Sequence, residues 1–123
     1  MPVQARMVVA GMSATEAAAS VGTVANSLTA VSGGQSAAAG LPGDVNRFTT
    51  VPASGGCILP ALNPGDNIVV VNAQVTNALL LFPPVGGAIN ALATNGSYSI
   101  AVATPFCYVQ CITPTQYHCF QSA

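Results

Sequence analysis

Apolar residues along this chain come in short bursts cut by Pro, Gly and Asn, and the bursts follow two different rules. In "SYSIAVA" (97–103), Tyr98, Ile100 and Val102 alternate with serines and alanines, the period-two signature of a half-buried strand. In "NIVVVN" (67–72) and "NALLLF" (77–82) apolar residues occupy both parities. Such strands bury one face inside the domain and need something else to cover the other. Residues 45–51, 57–60, 105–112 and 116–121 read as further strands. Between them lie "PASGG", Pro83-Pro84, "TPT" and "ALNPGD", where Pro64-Gly65 fits the central positions of a type II turn. Short strands spaced by turn chemistry predict an all-β fold, an antiparallel, jelly-roll-like β-sandwich over residues 43–123. Its predicted core is Ile68, Val70, Leu79, Leu81, Tyr98 and Ile100. Val69, Val71 and Phe82, on the opposite parities, are predicted to touch other subunits.

Residues 1–42 have another texture, rich in Ala, Ser, Gly and Thr, and read as an N-terminal arm. Ser13 and Glu16 fit a capping box, which would open one or two helical turns ending near Gly22. An extended arm, ordered only against a neighbour, fits equally well. Thr23–Val31 carries enough β-branched residues for a strand before "SGGQS" breaks it. Arg6 is the arm's candidate contact residue. The apolar run 7–12 is too short for a secretory signal and Glu16 follows closely, so export by this segment is not expected.

Charge sharpens the picture. Arg6, Glu16, Asp44, Arg47 and Asp66 are the only charged residues among 123, or 4 % of the chain, where about a quarter is ordinary. A folded monomer of this size exposes roughly 6,000 Å², which leaves on the order of 1,200 Å² per charge. That is not the mixed-charge coat that keeps small monomers apart. Subunits that cover one another are the economical reading. High hydrophobicity with low charge excludes a disordered chain. The best candidate for a membrane span, 69–92, is interrupted by Asn72, Gln74, Asn77, Pro83-Pro84 and Gly86-Gly87. Two arginines and no lysine cannot neutralise a phosphate backbone, so no nucleic-acid partner is expected.

The second half carries a pattern with a resemblance. Gly65, Asp66, Ile68, Val70 and Asn72 form "GD-x-I-x-V-x-N", and Phe82, Pro83, Pro84, Gly86, Gly87, Ile89 and Asn90 form "FPP-x-GG-x-IN". Followed by an alternating strand, this resembles a β-module of small virion proteins of tailed bacteriophages, over about residues 57–109. The resemblance implies a structural virion component: a head decoration (cement) protein, a head fibre or a tail-fibre segment. The short chain favours the decoration protein, made in the host cytoplasm and placed on the capsid exterior. Its implied partners are the major capsid protein and itself, as a homotrimer with a dimer as runner-up. Arg6, Arg47, Val69, Val71 and Phe82 are the candidate interface residues. The alternative is a receptor- or glycan-binding fibre module, for which Tyr98, Tyr108, Tyr117 and His118 are the available set.

Catalytic chemistry finds little footing, and no cofactor, metal or catalytic residue is expected. Cys107 and Cys111, four apart on one strand, would sit about 13 Å apart, beyond disulfide reach. Cys119 could face either, and Cys57 could meet any of them. Cys107, Cys111, His118 and Cys119 do not have the spacing of common structural zinc sites, and adjacent His118 and Cys119 point to opposite faces of a strand. Small buried thiols packing as apolar groups are the simplest reading. His118 has no carboxylate near it in sequence to orient it as a base. Asp66 and Asp44 follow glycines and are expected to cap turns. Asp44 and Arg47 are close enough to pair locally, or either could reach across an interface.

Overall fold

The structure is a computed structural model, and it describes residues 23–103 and 106–122. It is all-β, with no helix among those residues. The strands are not arranged as an antiparallel jelly-roll sandwich. They form stacked coils: β1 (Val24–Thr29), β3 (Val45–Thr50) and β5 (Asn67–Asn72) lie side by side and parallel in one sheet. In the second sheet β2 (Ala39–Gly40), β4 (Gly56–Ile58) and β6 (Leu79–Phe82) are likewise parallel. Each coil therefore places one strand in each sheet, and the next coil stacks on it. The sandwich prediction fails because a Pro or Gly turn does not in itself say whether the chain reverses to a neighbouring strand or crosses to the other sheet. Here the turns at 52–56, 61–66 and 83–87 carry the chain across to the other sheet, while the turn at 113–115 does reverse it, from β9 to β10.

The stack closes with antiparallel strands. β8 (Tyr98–Ile100) pairs with β6. β9 (Phe106–Thr113) pairs with β5, β10 (Gln116–Gln121) pairs with β9, and β7 (Ala88–Ile89) flanks β10 in parallel. The first sheet thus runs β1-β3-β5-β9-β10-β7 and the second β2-β4-β6-β8. The helix proposed near Ser13, and Arg6, fall outside the described residues. Residues 24–40, placed by the sequence in the arm, supply the first coil: Val24 faces Val45, and Ala39 faces Cys57.

Between the sheets lies one core. Phe48, Val70, Leu79, Leu81, Ile89, Ile100, Val109 and Tyr117 are fully buried in it, with Ile68 nearly so. The predicted core residues are all there, Tyr98 being half-buried and packed against the rest. Asn46 and Asn72 are buried polar residues, and each is satisfied by hydrogen bonds to backbone groups. The Asn46 amide donates to the carbonyls of Gly43 and Val69, and its oxygen accepts from the Gly43 amide. Asn72 donates to the carbonyls of Asn77, Ile100 and Ala101 and accepts from the Gln74 amide. These side chains fasten the corners of the coils.

The turn at Asn63–Asp66 is type II as expected. Gly65 takes φ +93°, a conformation glycine adopts without cost, and the Asp66 amide donates to the Asn63 carbonyl at 3.0 Å. The Asp66 carboxylate accepts from the Asn63 amide in return. Asp44 joins coils: its carboxylate accepts from the Thr23 amide, and its carbonyl accepts from the Val69 amide. At β1, Ser27 has φ 58° and the register slips between Ala25 and Leu28. Such a bulge twists an end strand and discourages further strands from adding to it.

Candidate interaction surface

The residues of the first sheet alternate over 106–112 on β9 and along β10. Cys107, Val109 and Cys111 on β9, with Tyr117 and Cys119 on β10, point into the core. Phe106, Tyr108, Gln110, Ile112, His118 and Phe120 therefore share the outer face. On β5 the inward set is Ile68 and Val70, so Val69 and Val71 lie outside, as do Val45 and Arg47 on β3.

Cross-strand register orders this face into rows. Val45, Val69, Tyr108 and Phe120 make one row. Arg47, Val71 and Phe106 make the next, and Asn67, Gln110 and His118 lie on the other side. The result is an apolar band, aliphatic on β3 and β5 and aromatic on β9 and β10. Phe106 is 58 % exposed and Phe120 65 %. The Tyr108 and Phe120 rings lie 5.7 Å apart with a 34° tilt, a favourable aromatic contact that holds both rings on the face. Arg47 is the only charged residue of the band, and its guanidinium donates to Asn26 at 3.0 Å rather than to Asp44.

The candidate interface residues thus separate. Arg47 and Val69 lie on this face, where Val69 is half-buried. Val71 also belongs to it but is only 6 % exposed. Phe82 belongs to the second sheet, and its ring lies over Gly56, where an added Cβ would come within 2.7 Å of it. An aromatic ring covering a strand glycine is an internal packing device, and it leaves Phe82 9 % exposed. The sequence reading missed Phe106, Phe120 and Ile112. The signal was present in "FCYVQCI", where Cys107, Val109 and Cys111 share the parity opposite to the aromatics.

The glycan set does not converge. Tyr117 is fully buried and its hydroxyl donates to the Pro114 carbonyl, while the Tyr98 hydroxyl is held by the Gln121 amide. Only Tyr108 and His118 of that set reach the outer face.

Thiol chemistry is turned inward. All four cysteines are free and buried. Burial pushes the Cys57 thiol far up, so it stays protonated. The interaction of the Cys107 and Cys119 thiols raises the Cys107 pKa, burial adding to it, and lowers that of Cys119. The Cys111 thiol donates to the Thr113 and Leu62 carbonyls. Among the described residues no three of His, Cys, Asp and Glu gather as a metal site, and no helix is long and apolar enough to cross a membrane. A shallow apolar depression of about 400 Å³ sits elsewhere, where Gly40-Leu41-Pro42 stacks on Ile58-Leu59-Pro60.

No family model, curated protein or solved structure matches the chain.

Proposed function

We propose that this is a structural virion protein of a tailed bacteriophage, a decoration (cement) protein that stabilises the head by packing at seams between capsid subunits. The observation that carries the reading is the outer face of the first sheet, an apolar band of Val45, Val69, Tyr108, Phe106 and Phe120 with one charge beside it. Contiguous apolar surface of this kind on a sheet is a joint, since each Å² covered returns about 25 cal/mol before association costs. The phage-like motif supports the same class in a second way, because its residues are architectural. Gly65 and Asp66 make the turn, Ile68 and Val70 enter the core and Asn72 fastens a corner. Phe82 and Pro83 are buried, and Asn90 pairs with the backbone of Cys119 on β10. A recurring module made of such residues is a scaffold.

Immunogold labelling of purified particles, from a culture in which the gene is expressed, tests the reading. Gold on the outside of the heads is expected. Label confined to soluble protein, with particles bare, would overturn it.

A further inference from the structure

We infer that the outer face of the first sheet pairs with the same face of a second copy, about a two-fold axis running along the strands between β5 and β9. The inference rests on the structural reading above and assigns that surface to the joint between copies of the decoration protein, which leaves the other faces of the pair to the capsid. The face is divided into two unlike halves. Val45, Arg47, Val69 and Val71 occupy β3 and β5, while Phe106, Tyr108 and Phe120 occupy β9 and β10. A two-fold through their boundary exchanges the halves. Each aliphatic half then meets the partner's aromatic half: Val45 comes to Phe120 and Val69 to Tyr108, row upon row. A C2 contact of this isologous type is the commonest form of closed assembly.

Charge agrees with this occupant. Arg47 is the one cation, and the exchange carries it from aliphatic neighbours to the aromatic edge formed by Phe106 and Phe120 of the other copy, where a guanidinium is attracted by the ring faces. A partner with a strongly charged surface would find almost nothing here to pair with. Four strands about 4.8 Å apart and some six residues long give a footprint on the order of 400 Å². That is below the roughly 600 Å² per partner of stable specific interfaces, so the pairing is a weak one that forms at micromolar concentrations. Aligned packing of two sheets, within about 30° of parallel, is a standard way to cover such faces.

A charge-complementation experiment on the full chain tests the pairing. Wild-type protein is expected to sediment as a dimer at tens of micromolar. Val45→Asp and Phe120→Lys are each expected to weaken self-association at least tenfold, because each sets a lone charge against an apolar patch. Mixed in equal amounts, the two variants are expected to pair again, since one of their two contacts becomes an ion pair and the other is native. Thermal melts of each variant establish that it folds, and Phe120→Ser, which adds no charge, serves if either does not. A wild-type protein still monomeric at about 100 µM would overturn the inference. So would dimers that survive both substitutions, or variants that fail to complement each other. Gold-labelled particles together with a monomeric free protein would remove the pairing and leave the structural reading intact. A dimer absent from particles would do the reverse.

Discussion

Asn72→Asp is expected to destabilise the fold by about 3–5 kcal/mol at neutral pH, the usual cost of an uncompensated buried charge. The replacement is nearly isosteric, so packing hardly changes. Its chemistry reverses: an amide donating to the carbonyls of Asn77, Ile100 and Ala101 becomes a carboxylate facing three acceptors. The site is fully buried, so water cannot screen the clash. Both burial and the carbonyl dipoles favour the neutral acid, which raises the pKa of the new group in the folded state above its unfolded value of about 3.9. The unfolded chain is then the one to release its proton first, so the deficit grows as pH rises above about 4. On acidification through the folded-state pKa it shrinks. Urea melts of both proteins across pH 4–8 check this, and a deficit independent of pH would show that the amide is not held as described.

Phe48→Ala is expected to cost about 3–5 kcal/mol, the range for emptying a buried aromatic site. The more informative experiment combines it with Leu28→Ala. In the coil stack Leu28 and Phe48 are register partners on neighbouring parallel strands, and both pack in the core. Their effects are expected to be non-additive by about 0.5–3 kcal/mol, as for residues in contact. A sandwich built of sequential hairpins gives no reason for these two side chains to meet. Strict additivity in a double-mutant cycle would therefore count against the parallel pairing of β1 and β3.

Strand positions were legible in the sequence to a degree that strand pairing was not. β5 and β10 occupy the residues expected, 67–72 and 116–121. Alternation and turn residues locate a strand and end it, but they do not say which neighbour it meets. Two features did point to stacked coils. "IVVV" is apolar on both parities, as strands of parallel sheets are. Ser-Gly-Gly recurs at 32–34 and 54–56, and Pro-Gly-Asp at 42–44 and 64–66, each 22 residues on. A period in that range is the mark of a repeat architecture. The structure spaces its coils unevenly, Val24 to Val45 and then Val45 to Val69, so the repeat fades after two copies.

The candidate surface was half legible for a similar reason. Parity separated Val69 and Val71 from Ile68 and Val70 correctly, because the core cannot take both sides of a strand. Phe82 has the outer parity on β6, yet Gly56 on the adjacent strand leaves a hollow that its ring fills. That hollow depends on the β4–β6 register, which sequence spacing does not contain. Phe106 and Phe120 are hard to place from sequence because large aromatics are ordinarily core residues, and here cysteines take that role.

The central physical claim is that Phe106, Tyr108 and Phe120 form a joint. Hydroxyl-radical footprinting of the assembled protein, beside the same protein diluted to monomers, tests it most directly. Modification of these three rings is expected to fall severalfold on assembly, while Val85 and Leu92, exposed elsewhere, keep their reactivity. Equal labelling of the three rings in both states, with protection at Val85 and Leu92 instead, would contradict it.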